Sequence, residues 1–403
     1  MWFYLLLPAA LYAALMLGVA VVTRLVARRE SPPPRKSLPR IAVLVAARNE
    51  ETRLHRCLDA LLAQDYPADR IDIYVANDHS TDGTAAVIER YRQRTAAAVP
   101  AGGPFDDGFA ERDADASSFE RIGGDGAPAA LPRVHAVEVP DPTDHVRGKA
   151  LAIHTAVEAC DHDLLLVTDA DCAPPPEWAR SLVAYFDDPD LGMVCGHTYV
   201  ETHGDWVSEL QALDWAYLLS VSSVLTESGR PVTAMGNNMA LRRAAYEAVG
   251  GYPALPFSVT EDYMLFKSIA EQTDYHLRYP SSPALRNYTL PLGRAVDMYQ
   301  QRRRWARGGM KANAGVYAMY TLTYLAHLVP LLALFFVPGP ALAVLAAKVG
   351  ADFAVLWTTL GRSRRRHLLR TFPLFEAYLF FYLITLPAVL LLFPRINWKD
   401  RKL

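Results

Sequence analysis

Apolar positions along the chain fall into two kinds of run. Short aliphatic stretches of strand length, each stopped by polar residues, punctuate the first half, and long uncharged stretches lie at the two ends. Ile41–Ala47 (IAVLVAA) and residues 71–76, 134–139, 164–167 and 193–198 predict strands. The most continuously apolar of them predict strands buried on both faces. Helical periodicity follows the first strand through Leu54, Leu58, Leu61 and Leu62, a second helix starts at Ala85, and an amphipathic helix opens near Lys149. Strand, loop and helix in repetition predict a parallel sheet with crossover helices. Pro174–Pro176 form a rigid turn into a further helix, and a last one begins at about Tyr263. Residues 236–243 (GNNMALRR) follow a Gly/Pro-containing loop, and their small residues predict backbone lying close to a ligand.

The long runs predict membrane crossings. Residues 1–23 carry no charge and are long enough to cross a hydrocarbon core of ~30 Å. Basic residues come after this run (Arg24, Arg28, Arg29, Arg35, Lys36, Arg40), which predicts a retained anchor with its basic flank in the cytoplasm. Residues 314–337, 341–360 and 372–393 predict three more spans. The second of these holds Lys348 and Asp352 at helical i,i+4 spacing, a pair expected to face the bundle and to bridge. Residues 362–367 (RSRRRH) are expected to be cytoplasmic. Counting crossings then sends Lys399, Arg401 and Lys402 outward, against the positive-inside rule, so the last segment crosses, re-enters or lies in the interface.

The resulting layout is an anchor at 1–27, a stiff Pro-containing linker at 28–40, an α/β domain at 41–298, an amphipathic interfacial helix at 299–313 and a membrane region at 314–403. Residues 96–132, rich in Ala, Gly, Pro, Asp and Ser, predict a disordered insertion.

Composition narrows the picture. A net charge of −2 over 403 residues argues against a nucleic-acid partner. The four cysteines (57, 160, 172, 195) form no CxxC pair and suit reduced thiols. No GxGxxG, Walker loop or HExxH is present.

Candidate chemistry gathers where strands end, the place where open α/β sheets collect ligands. Asp169-Ala170-Asp171 closes the 164–167 run, so two carboxylates can converge on one hard cation that keeps substrate phosphates in its shell. A second DAD at 113–115 lies in the low-complexity stretch and has no such support. Asn49, Glu50 and Asp78 follow the first two strands along one sheet edge. Asp78 can accept from the imide of a base or cap the next helix; for Asp82 the cap is favoured. Lys149 at a helix start suits a phosphate. Asp262 is a candidate general base, although Glu261 and Asp262 would also stabilise a helix N-terminus. Residues 299–313 (YQQRRRWARGGMKAN) surround Trp305 with cations ahead of a hydrophobic segment, as an interfacial helix would.

VAARNEE, NDHSTDG, GKA, TDAD, TED and QRRRW, in that order over residues 41 to about 310, resemble the motifs of membrane-integrated family 2 glycosyltransferases. The one N-terminal and three C-terminal spans resemble those of ceramide glucosyltransferases. The QxxRW pattern is shared with cellulose, chitin, hyaluronan and poly-N-acetylglucosamine synthases. The resemblance implies a GT-A fold, an α/β Rossmann-like, mostly parallel sheet, in a cytosolic domain joined to transmembrane α-helices. It implies an integral protein of a bacterial inner membrane with a nucleotide-sugar donor, most simply a UDP-sugar, and a lipid or glycan acceptor. Ala47, Asn49, Glu50, Asp78, Lys149, Asp169, Gln301 and Arg304 would bind the donor. Asp171, with Asp169, would hold Mg2+ or Mn2+; Asp262 would be the base of an inverting transfer, and Trp305 and Glu261 would meet the acceptor. The family's acidic pair after the second strand is often Asp-Asp; here it is Asn77-Asp78. Few spans favour single transfer to a lipid over a processive polysaccharide synthase. An inactive membrane-anchored nucleotide-sugar-binding protein is the non-enzyme alternative.

Overall fold

The computed structural model describes residues 2–26, 38–98, 130–309, 314–393, 397–398 and 401–402. Most of the expected linker, Asp113, Asp115, the bulk of the low-complexity stretch, Met310–Asn313 in the sequence and Lys399 lie outside the described residues. A sheet of seven strands has the order β3-β2-β1-β4-β7-β5-β8. Its first half is parallel: β1 (Ile41–Ala47), β2 (Ile71–Asn77), β3 (Arg133–Glu138) and β4 (Leu164–Asp169). β5 (Leu191–Cys195) pairs parallel with β8 (His276–Arg278), and β7 (Asn238–Arg242) runs antiparallel between β4 and β5. β6 (Thr198–Val200) and β9 (Asn287–Thr289) form a separate parallel pair.

Side-chain alternation on β1 explains the two-layer packing. Ile41, Val43 and Val45 join one core with α2 (Leu54–Leu62), α3 (Thr84–Ala97) and α5 (Trp178–Val183). Ala42 and Leu44 point the other way, into a core built with α4 (Lys149–Glu158) and α6 (Trp206–Glu227). Each fully buried aliphatic side chain contributes roughly 1.5–3 kcal/mol, so both faces bind the sheet to its helices. The second layer continues through α7 (Arg243–Ala248), α8 (Gly251–Ala254) and α9 (Glu261–Gln272).

Three expectations change. The apolar run 193–198 is two strands in two sheets, because the chain turns at Gly196, where a Cβ would fall 2.2 Å from the Leu285 carbonyl oxygen. Most of 236–243, where no strand was predicted, is β7, an interior strand paired on both sides. Helix α6 was not marked by hydrophobic periodicity, since 16 of its 22 residues are buried all round it. Its start is set locally: Asp205 accepts from the backbone N–H of Val207 and Ser208, a true N-cap.

The terminal runs form α1 (Trp2–Val26), α11 (Ala314–Ala333), α12 (Pro338–Arg362) and α13 (Phe372–Leu392), preceded by α10 (Ala295–Gly309). Among the described residues, four helices are long and apolar enough to cross a membrane. Pro338 and Pro340 open α12, where a missing N–H costs nothing, so this helix begins before the expected residue 341. The expected Lys348–Asp352 bridge is present at 2.9 Å, fully buried, and it is larger than expected. Lys348 also donates to Glu376 at 2.6 Å, and the Tyr12 and Tyr217 hydroxyls donate to Asp352 at 3.0 and 2.5 Å. α1, α6, α12 and α13 thus meet at one charged knot.

Removing one member of a buried charge cluster leaves the others uncompensated, at a cost of about 3–5 kcal/mol. Lys348→Met should therefore lower the thermal midpoint of the detergent-solubilised protein sharply. Neutralising Asp352 and Glu376 in the same chain should recover most of the loss, whereas an unchanged midpoint in the single variant would remove the knot from any role in stability.

Candidate active site

β2, β1 and β4 are neighbours and run parallel, with Ala47 opposite Asn77 and Ala46 opposite Asp169. Their carboxyl ends therefore release three loops at one edge. Asp78, buried, donates its N–H to the Ala47 carbonyl at 2.8 Å, which docks the second loop on the first. Arg48 reaches the Asp78 carbonyl at 3.0 Å and its carboxylate at 3.9 Å. The Asn49 side chain accepts from Thr81 N at 2.8 Å, and Asn49 takes a positive φ of 53°. Asn49 thus splices the loops and does not line the cavity that the others share. Asp82 caps α3 as expected, accepting from the Thr84 N–H and hydroxyl at 3.0 and 2.6 Å.

Lys149 is the centre of the site. Gly148 adopts φ 62°, a conformation that glycine takes without strain, and turns the chain so that Lys149 begins α4 facing the strand ends. Its ammonium lies 2.5 Å from Asp169, 3.7 Å from Glu261 and 3.3 Å from the Gly236 carbonyl. Gly236 N–H donates to Asp262 Oδ2 at 2.6 Å, and Tyr263 N–H holds Oδ1 at 2.8 Å. A Cβ on Gly236 would come within 3.0 Å of both Asp262 Oδ2 and Lys149 Nζ, so only glycine lets that backbone pass. Burial opposes the ammonium, but Asp169, Glu261 and Asp262 outweigh it and raise Lys149 above the ordinary lysine range. Burial, then the neighbouring Asp262 carboxylate, push Glu261 up to about 7 against the pull of Lys149.

Helix α10 closes one side. Arg304 donates to the Val259 carbonyl at 2.9 Å, and Gly308 lies so close to Thr260 that a Cβ would overlap its hydroxyl. The loop before α9 is therefore latched to α10. Gln301 is buried and lines the cavity, with no hydrogen-bond partner for its Oε1 among the described residues. Trp305 packs edge-on to Trp215 of α6 at 5.4 Å, with the Arg302 guanidinium 4.1 Å over its ring. Arg302 pairs with Asp214, both nearly fully buried, and this tie between α10 and α6 was not anticipated. The helix also begins earlier than residue 299, at Ala295.

One cavity of about 830 Å3 gathers Ala47, Glu50, Asp78, Lys149, Asp169, Asp171, Glu261, Asp262, Gln301, Arg304 and Trp305. Arg48 and Arg53 line it too, and sequence reasoning passed over both. Arg48 stands inside the first motif, so its identity was visible; its direction depends on how two loops abut. No group of three or more His, Cys, Asp or Glu able to hold a metal exists among the described residues. Asp171 and Asp169 still fit a hard cation that takes one or two protein carboxylates and completes its shell from phosphates and water. Asp169 is also engaged by the Lys149 ammonium at 2.5 Å.

Residues 164–394 match the model described as "Glycosyl transferase family group 2", and residues 42–99 match "Glycosyl transferase family 2". The chain is 26% identical over 279 residues to a beta-monoglucosyldiacylglycerol synthase of Synechocystis sp., covering 67% of this chain and 48% of that protein. It is 23% identical over 296 residues to the probable glycosyltransferase YdaM of Bacillus subtilis, covering 68% of this chain and 56% of the relative. The chain thus spans about half the length of these two relatives. In structure it resembles the mannosyltransferase PcManGT of Pyrobaculum calidifontis, solved with GDP-Man and Mn2+, at a TM-score of 0.57 and 20% identity over 96% of this chain and 99% of that one. That likeness confirms the GT-A fold.

Glu261 supplies a pH test. With a folded value of about 7, above the ordinary ~4.3 of the unfolded chain, its protonated form favours folding. That stabilisation is complete below pH ~4.3 and is lost as pH rises through about 7. Glu261→Gln, neutral throughout, should show a thermal midpoint that gains on the wild type from pH 5 to pH 8. A difference that stays constant with pH would contradict the assignment.

Proposed function

The chain belongs to glycosyl transferase family group 2, and from that membership we propose a membrane-bound inverting glycosyltransferase that moves a sugar from a nucleotide-sugar donor to a hydroxyl of a lipid acceptor. The observation that carries this reading is the reach of the cavity. It begins at Asp78, Asp169 and Asp171 and continues past Trp305 to Tyr320 and Tyr324 of α11 and Leu386, Pro387 and Leu390 of α13. A polar end with clustered carboxylates and an apolar end made by membrane-length helices match a substrate pair of which one member is water-soluble and the other lipid. The lipid named for the Synechocystis relative belongs to the same class of acceptor.

Each residue has work that its position allows. Asp78 accepts from the donor's base, held in place by Ala47 and Arg48. Lys149, Arg304 and Gln301 surround the diphosphate, and Glu50 closes the loop side. Asp171, with Asp169, would hold Mg2+ or Mn2+, which supplies charge stabilisation to a departing nucleoside diphosphate. Asp262 takes the acceptor hydroxyl's proton as that oxygen attacks the anomeric carbon from the face opposite the leaving diphosphate, inverting the configuration. Its Oδ2 is oriented by Gly236 N–H and its Oδ1 by Tyr263 N–H, so the carboxylate is aimed before substrate arrives. Trp305 and Glu261 meet the acceptor. The buried Lys348–Asp352–Glu376 knot ties α12 to α13, and a set of four candidate spans favours single transfer over extrusion of a polymer. Arg362 donates to the Thr23 carbonyl at 2.8 Å, so the basic ends of α1 and α12 lie side by side, and the positive-inside rule puts them with the catalytic domain on the cytoplasmic face.

The test is nucleoside diphosphate release by the full chain in detergent, with UDP- and GDP-sugars, Mg2+ or Mn2+ and diacylglycerol or a lipid extract, followed by mass spectrometry of the product. Asp262→Asn should lower kcat by about 10²–10⁴-fold while leaving donor affinity nearly unchanged. Asp171→Ala should abolish the metal's contribution to donor binding. Transfer at the wild-type rate by folded Asp262→Asn would overturn the role of the base. Binding of donors with no transfer by the wild type to any lipid would promote the binding-protein alternative.

A further inference from the structure

A second cavity, of about 760 Å3, lies where the α/β domain meets the end of α12, and it shares no lining residue with the first. Its wall carries four guanidinium groups: Arg286 ahead of β9, Arg362 closing α12, and Arg364 and Arg365 just beyond. Three are anchored. Arg286 pairs with Glu177 at 3.0 Å, Arg362 donates to Thr23 O at 2.8 Å, and Arg365 donates to Val200 O at 2.7 Å. A guanidinium has five donors, so anchoring one orients the rest. The buried Nε of Arg286 has no hydrogen-bond partner among the described residues. Arg364 is exposed and held at a positive φ of 57°, a conformation uncommon for a side-chain-bearing residue. The acidic lining residue Glu201 is neutralised by Arg56, so the wall stays strongly positive.

We propose that this cavity binds a phosphate-bearing anion, and that its place at the end of a membrane span makes the natural occupant the headgroup of an anionic phospholipid. The assignment takes α12 as a membrane helix, as above, but does not depend on which sugar or acceptor the first cavity uses. Planar guanidinium groups converging on a pocket suit phosphate oxygens, and basic pockets at the cytoplasmic ends of spans suit anionic headgroups. The site is also close to the chemistry: Arg56, which holds Glu201, donates to the Asp171 carbonyl at 3.3 Å.

Native mass spectrometry of the full chain, exchanged into micelles containing phosphatidylglycerol and phosphatidylcholine, tests the assignment. The wild type should retain phosphatidylglycerol selectively, and the double variant Arg286→Gln/Arg364→Gln should weaken retention about 30-fold. The charge-preserving Arg364→Lys, which keeps the site if charge is what it supplies, should retain most of it. Nucleotide-sugar binding by the double variant, at the other cavity, reports that it is folded. Equal retention of the two lipids by the wild type, or undiminished retention by the folded double variant, would overturn the proposal. Inorganic phosphate that binds the wild type in the absence of lipid, is lost in the double variant and is not displaced by phosphatidylglycerol would support the anion site but overturn the lipid as its occupant.

Discussion

Three carboxylates, Asp169, Glu261 and Asp262, converge in a site half withdrawn from water, an arrangement that like-charge repulsion penalises and that a cation among them relieves. Lys149 is that cation. Its ammonium ties the end of β4 to the start of α9 and to the Gly236 backbone, segments far apart in sequence. The acid that would take a proton, the acid that would share a metal and the helix start that would meet a phosphate are therefore spaced by one group. The shift of Glu261 to about 7 shows how close the balance is: burial and Asp262 together outweigh the nearby ammonium.

Around this centre the chain uses the same device at larger scale. Helix α6 bridges the soluble sheet and the apolar helices through polar pairs placed on successive turns. Asp214 holds Arg302 of α10, Tyr217 reaches Asp352 of α12, and Ser220 meets Thr359 at 2.6 Å. Nearer its start, Glu209 pairs with Arg370 and with the Thr371 hydroxyl at 2.5 Å. Buried polar contacts add little net stability when paired and cost much when broken, so they set position more than strength. Position is what the cavity needs, because its polar wall belongs to the sheet and its apolar wall to α11 and α13.

Two cavities at the two sides of this joint have opposite character. One is lined by carboxylates at a sheet edge and opens toward apolar helices; the other is lined by arginines at the end of a span. They are linked through Arg56, which touches the Asp171 backbone and the Glu201 side chain.

Much of this was legible in the sequence because strand ends are local features. An aliphatic run followed by polar residues places Asp78, Asp169 and Asp171 at the same sheet edge whatever the rest of the fold, and an uncharged run of about twenty residues can only be a buried or membrane-crossing helix. The sequence alone also placed Lys149 and Asp262 among the candidates by residue type and position, and the resemblance of the motifs added Gln301 and Arg304 and gave Trp305 its acceptor role. It did not reveal that Asn49 splices two loops and stays out of the cavity, that 193–198 divides between sheets, or that β7 runs antiparallel at the sheet's interior. Those depend on close approaches at Gly196 and between neighbouring loops, which have no periodic signature. The long helix α6 was hidden because it is buried on every side, so the contrast between an apolar and a polar face is missing. The pairing of Arg302 with Asp214, of Arg56 with Glu201 and of Lys348 with Glu376 joins residues 28 to 145 positions apart, and such contacts exist only once the tertiary structure brings their helices and strands together.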